Sequence, residues 1–337
     1  MSIASKKSRP KRRDRGRRAR TPIAIPWRGW RDIVYRLFVG FNDNRILLTA
    51  AGVTFFLLFA LVPSLSLFVS SYGLLNDPAG VIEQLNLLEG LVPGDGLEII
   101  REQLVRLTTE TNASLGFALL ISLGLALWGA SAGIKAFFEA MNIVYGEREK
   151  RSFIRINLLA LCFVLGALLL LVVVLGAVLV MPVLLHYLAL GRFEWLVRAG
   201  SYAIMLTTLV IALSAIYRWG PSRQEAQWRW VTPGSLFATF GIMVMSAGFS
   251  WYAANFSNYN ATYGSLGALI GLLTWIWFSV TIAILGGALN SELEHQTAID
   301  STTGEPAPLG ARGAYVADTL GETWPESEGK GGSPSPA

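Results

Sequence analysis

Six long apolar runs dominate the pattern of this chain, at about 46–72, 115–132, 158–185, 197–217, 232–254 and 265–289. Each approaches or exceeds the roughly 20 mostly apolar residues that a helix needs to cross a bilayer. Polar and apolar positions do not alternate within them, so they do not read as barrel strands. Hydrocarbon offers no water to an unpaired backbone, which makes helices the default for such runs. The pattern therefore predicts an all-α, polytopic membrane protein with six transmembrane helices. Two further helices are expected outside the spans. In the long connection 73–114, Leu97, Ile100, Leu104 and Leu107 recur three or four apart behind the turn Pro93-Gly94-Asp95-Gly96, the pattern of an amphipathic helix. After the second run, Ile134, Phe137, Phe138, Met141 and Val144 interleave with Lys135, Glu139 and Asn142, which predicts a short inner interfacial helix.

Charge orients the spans. Of 28 Lys and Arg, 24 fall in the two tails and in the loops after the second and fourth runs. Only Arg101, Arg106, Arg192 and Arg198 fall on the other side. Positive residues stay cytoplasmic, so both termini are expected inside. Trp27, Trp30, Trp219, Trp228 and Trp230 then lie at the inner interface, and Trp195, Trp251 and Tyr252 at the outer one. Three parts follow: a disordered polybasic tail (1–30), a transmembrane domain (31–299) and a disordered tail rich in Pro, Gly and acid (300–337). No apolar region follows the first tail directly, so it is not read as a cleaved signal. It is expected to touch anionic lipid. Without interleaved aromatics it offers no stacking platform, and no nucleic acid is expected as a partner. Membrane lipids are the expected partners, and self-association stays open.

Candidate chemistry is sparse. The chain holds two histidines, His186 and His295, and one cysteine, Cys162, inside the third run. No metal-ligand, nucleophile-elbow or phosphate-loop spacing occurs, so the chain is read as neither an enzyme nor a cofactor binder. Glu292, Glu294 and His295, just past the sixth run, read as water-reaching helix-end groups. The densest uncharged polar stretch joins the last two runs: Asn255, Asn258, Tyr259, Asn260, Thr262 and Tyr263, followed by Gly264 and Gly267. Such amides and hydroxyls hold irregular backbone in a tight connector, or equally a polar headgroup. Pro63 frees a backbone carbonyl late in the first run, and Pro233 opens the fifth beside Gly234. Gly267 and Gly271 form a G-x-x-x-G pair suited to close helix contact. Asn142 and Asn290 are deeper polar groups suited to joining helices.

Five stretches carry a resemblance: NDNRILLTAAGVTFFLLFALVP (42–63), WGASAGIKAFFEAMNIVY (128–145), WRWVTPG (228–234), NFSNYNATYGSLG (255–267) and GGALNSELEHQT (286–297). In order and spacing they resemble the YihY/BrkB family of bacterial inner-membrane proteins, over about residues 30–300. The resemblance singles out Trp128 and Tyr145 beside the positions above. It implies a multi-pass protein of the bacterial inner membrane linked to envelope integrity, with export or flipping of a lipid or glycolipid suggested for relatives. It also implies that the old ribonuclease BN label of the family is a misassignment. Two departures stand out. Phe55, Phe56 and Ala60 replace the tyrosines and serine common in the first span, and Ala288 replaces the carboxylate of a G-A-E-L-N pattern. Proton coupling through that acid is therefore not expected here. The reading reached is translocation of a lipid or amphiphile, with a non-transporting scaffold as the alternative.

Overall fold

The computed structural model describes residues 15–75, 112–188, 194–256 and 266–324. Among these the architecture is all-helical. A 3-10 turn, Pro22–Ala24, leads into α1 (Trp27–Asp43). Six long helices follow: α2 (Ile46–Leu75), α3 (Asn112–Val144), α4 (Phe153–Leu188), α5 (Glu194–Trp219), α6 (Trp228–Phe256) and α7 (Leu266–Gln296). A single turn, α8 (Tyr315–Asp318), closes the described chain. Within the described residues, four helices, α4 to α7, are long and apolar enough to cross a membrane. A fifth candidate is the pair of α1 and the start of α2, bent by 61°.

The long helices fall on the six apolar runs, because in a bilayer an apolar stretch has no better way to satisfy its backbone than to coil. α2 packs chiefly on α3, and α6 on α7. α7 also touches α1, α2 and α3, which makes it the central helix, while α4 lies against α3 and α5. Small residues allow the closest approaches. A Cβ on Gly129 of α3 would come within 3.0 Å of the Ala60 Cα of α2. The Ala60 departure noted above thus coincides with a tight helix crossing. Among the described residues, an added Cβ at Gly271 would meet nothing within 4 Å. Gly267 is buried, but the expected close contact through the Gly267/Gly271 pair is not made at Gly271. The α6/α7 approach runs through Gly234 and Gly286 instead.

Three sequence expectations need correction. The separate inner interfacial helix does not exist: α3 runs unbroken to Val144, and Phe137, Phe138, Met141 and Val144 are buried in it. Their apolar face is taken by neighbouring helices rather than by lipid. α3 stops where a Schellman turn ends it, with Gly146 at φ 65°, Gly146 N–H donating to Ile143 O at 3.1 Å and Glu147 N–H to Asn142 O at 2.8 Å. An interfacial-type helix is present elsewhere, as α1. Its Ile33 and Asp32 are buried, while Trp27, Val34 and Phe38 stand exposed on the opposite side. It meets α2 at Arg45, held at φ 47°, a left-handed backbone that few non-glycine residues adopt.

The second and third corrections concern the tails. Residues 15–30 and 300–324 are folded where composition suggests disorder. Ala19, Ile25, Ala314, Val316 and Ala317 are buried, and the polar backbone finds partners on the helix-end loops. Ala298 N–H donates to Arg17 O at 2.9 Å, and Thr303 N–H to Glu225 O at 2.8 Å. Arg312 binds the carbonyls of Ala298, Ala307 and Ala317 at 2.7 to 3.1 Å and so gathers its own segment. Residues 1–14, 325–337 and the expected amphipathic helix around Leu97 to Leu107 lie outside the described residues.

Candidate functional site at the basic end of the bundle

The residues after α3, between α5 and α6, and on either side of the bundle in sequence all meet at one end. Ser222 N–H donates to Asn142 Oδ1 at 2.7 Å, which ties the α5/α6 loop to α3. Gln227 N–H donates to Ser301 O at 2.9 Å, and Ala226 and Thr302 form an antiparallel bridge. Four segments separate in sequence, three of them basic, thus form one polar plate beneath an apolar bundle.

At its centre lies an ion pair with no solvent exposure on either side chain. Arg223 Nη2 donates to Glu294 Oε1 at 2.7 Å and Nη1 to Oε2 at 3.0 Å. Ser301 Oγ donates to Oε2 at 2.7 Å. The Arg223 guanidinium also stands 4.3 Å from the Tyr145 ring centre. Burial works against the charge on Arg223, but Glu294 beside it wins and raises its pKa above the ordinary arginine value. The helix-end reading of Glu292, Glu294 and His295 is thereby corrected. Glu292 pairs with Arg36, Glu294 with Arg223, and His295 Nε2 faces Thr319 Oγ1 at 2.9 Å. Glu292 Oε2 also lies 4.0 Å from His295 Nδ1, while Glu294 is held by Arg223 and Ser301. Among the described residues, no three His, Cys, Asp or Glu side chains gather as metal ligands.

One helix turn deeper, Asn290 acts as expected of a helix-joining amide. Its Oδ1 accepts from Gly234 N–H at 2.7 Å and its Nδ2 donates to Val231 O at 2.8 Å. Pro233 is the sixth residue of α6 rather than its opening, and it lacks the N–H that would bond the carbonyl one turn back. Asn290 supplies a donor to that unsettled turn from α7. Tyr217 OH donates to Ala283 O at 2.6 Å nearby. Ser214 Oγ donates to Ser235 Oγ at 2.7 Å, and Thr239, a turn beyond Ser235, is buried with its hydroxyl unpartnered. The inventory of candidates therefore splits. Asn142, Tyr145, Pro233, Gly234 and Asn290 come together at this end. Trp128 does not: it is exposed and edges Phe59. Pro63 and Asn255 are helical, and nothing is described of their side chains. Asn258, Tyr259, Asn260, Thr262, Tyr263 and Gly264 lie outside the described residues. Trp230, expected at the interface, is fully buried.

Glu149 gives the plate a pH signature. Partial burial pushes its pKa up, but hydrogen bonds from the Arg151 side chain and backbone and from Asn142 win and hold it down at about 2. A carboxylate depressed below its ordinary 4.5 stabilises the fold fully above that value, and the contribution fades as pH falls towards 2. Glu149→Gln is therefore expected to flatten the fall in melting temperature between roughly pH 5 and pH 3. Parallel wild-type and variant curves in detergent would show that Glu149 does not contribute.

Apolar helices of membrane-crossing length, tied at one end by polar loops, define a multi-pass helical membrane protein. The family described as Virulence factor BrkB matches residues 37–309, and the chain belongs to it. Among curated proteins, the chain is 29% identical over 251 residues to a Bacillus subtilis (strain 168) protein named as ribonuclease-like, YfkH, covering 72% of this chain and 88% of that one. It is 24% identical over 274 residues to UPF0761 membrane protein Mpe_A1422 of Methylibium petroleiphilum (strain ATCC BAA-1232 / LMG 22953 / PM1). That match covers 77% of this chain and 62% of the relative's length. No solved structure matches.

Proposed function

We propose that this chain is a six-span protein of the bacterial inner membrane, with both termini cytoplasmic, that serves envelope integrity by moving a lipid or amphiphile between leaflets. The orientation rests on the charge count together with the gathering of the basic segments at one end. The observation that carries translocation is an uncharged polar row in the bundle. Ser235, Thr239 and Ser246 sit four and seven residues apart on one side of α6, contacting Ser214 of α5 and Trp275 of α7. Thr239 is left with an open hydroxyl. Such a row lets a headgroup exchange hydrogen bonds without meeting a fixed charge. It runs from the plate along α6, and the Asn255–Tyr263 stretch that follows in sequence is the proposed outer contact.

A scaffold reading is favoured by a different observation, the dense latching of both tails onto the plate. Nuclease chemistry is disfavoured because Glu292 and Glu294 are each held by a different arginine, and no three metal-ligating side chains gather among the described residues. Flip of a head-labelled lipid in proteoliposomes tests the proposal. Flip above that of empty vesicles is expected, with Asn260→Ala and Tyr263→Ala lowering it at unchanged folding. Absence of flip by folded, inserted protein would leave the scaffold.

A further inference from the structure

A cleft of about 610 Å³ opens at the basic end between the start of α4 and the end of α5. Arg155, Leu158, Leu159 and Cys162 line one wall. Their spacing of three, four and seven places them on a single stripe of α4. Arg218 and Trp219 stand on the α5 side, and Lys150 and Arg151 at the loop before α4. At 1.5 Å per residue, Cys162 lies about 10 Å further along the helix than Arg155. The wall therefore passes from cationic to apolar over the length of one phospholipid head and its first methylenes.

The charges are not all committed. Arg151 is held by Glu149, Arg218 by Glu225 and Arg223 by Glu294. Arg155 is exposed and pairs with no acid among the described residues. Lys150 is held by Glu147, yet its ammonium is 61% exposed and has donors left for a second acceptor. Glu225, the carboxylate of the lining, pairs with Arg218, so cationic side chains outnumber acids around the cleft. Phe153, Ile154 and Leu158 stand exposed at the same end of α4, a surface that lies against acyl chains in a membrane protein.

We propose that this cleft binds the head of an anionic phospholipid from the adjoining leaflet. The phosphodiester sits between Arg155 and Lys150, and an acyl chain runs along Leu158 towards Cys162. A basic pocket beside helices at the cytoplasmic level is the geometry that holds such heads. The site requires only that the chain lies in a membrane. It stands whether or not the protein translocates anything.

The single cysteine provides the readout, because Cys162 is exposed and lines the cleft. The full chain, stripped of lipid in detergent, would be labelled with a maleimide dye in the presence of short-chain phosphatidylglycerol, phosphatidylcholine of the same chain length, or inorganic phosphate. Phosphatidylglycerol at about ten times its Kd is expected to slow labelling about tenfold. Phosphatidylcholine and inorganic phosphate are expected to leave the rate nearly unchanged. Lys150→Gln with Arg155→Gln should abolish protection without altering the unprotected rate, and Arg155→Lys should keep it. If the double variant does not fold, the single Arg155→Gln at an exposed position decides. Equal protection by phosphatidylcholine, or protection that survives the variants, would mean that acyl chains alone fill the cleft and would overturn the proposal. Protection by inorganic phosphate at the same concentration would overturn the lipid assignment in favour of a simple anion site.

Discussion

Glu294→Ala is expected to destabilise the folded chain by about 3–5 kcal/mol, the usual cost of stranding one member of a buried ion pair. Arg223 and Glu294 are both without solvent exposure and meet through two hydrogen bonds. Removing the carboxylate leaves a guanidinium that cannot reach water, whose Nε already lacks an acceptor. It also deprives Ser301 Oγ of its partner, so the strap that begins after α7 loses its hold. The expected readouts are a large drop in melting temperature in detergent and faster proteolysis within 297–324. Replacing both partners, Arg223→Met with Glu294→Leu, should recover most of the loss, because the cost lies in the unpaired charge rather than in the missing attraction. A single-variant loss below roughly 1 kcal/mol would mean that water or another group already shares the charge.

That pair also marks the limit of what the sequence discloses. The apolar runs were legible because a bilayer rewards one solution for a long uncharged stretch, and α2 to α7 fall on them. Glu294 was not legible. An acid beyond the last apolar residue of a span reads as solvated, and only the return of the 220–227 loop and of the residues near Ser301 buries it. The tail over 300–324 misleads for a related reason. Its Pro, Gly and acid content is that of a chain without a core of its own, yet Val316 and Ala317 need only the plate to cover them. The apparent interfacial helix after the second run failed because amphipathicity states that a face is apolar and not what covers it. Phe137, Phe138 and Met141 face neighbouring helices. A signal for the true end of α3 was present in Gly146, a residue suited to the left-handed position that closes a Schellman turn. Asn142 and Asn290 were legible in kind, as amides that join segments, but their partners were not.

Gly234→Ala is expected to be the most damaging small substitution in the bundle. A Cβ at Gly234 would lie 2.0 Å from the carbonyl oxygen of Gly286 and 2.5 Å from Asn290 Nδ2. From the other side, a Cβ at Gly286 would meet the Gly234 carbonyl oxygen at 2.6 Å and Tyr217 OH at 2.5 Å. The near neighbours are backbone and a hydrogen-bonded amide, so no flexible tip can swing aside. One added methyl must push α6 off α7, and in doing so it breaks the Asn290 bonds to Gly234 N–H and Val231 O together. Overpacking of a tight core costs about 1–3 kcal/mol, and the loss of two buried hydrogen bonds adds to it. Asn290→Ala separates the two contributions, since it removes the bonds and leaves room between the helices. It should destabilise less than Gly234→Ala. Gly271→Ala, where an added Cβ meets nothing within 4 Å among the described residues, should leave the melting temperature nearly unchanged. The ordering of the three variants by thermal unfolding is the decisive observation. Should Gly271→Ala match Gly234→Ala, the helices would have to meet through the G-x-x-x-G face, and the α6/α7 crossing at Gly234 would be misassigned.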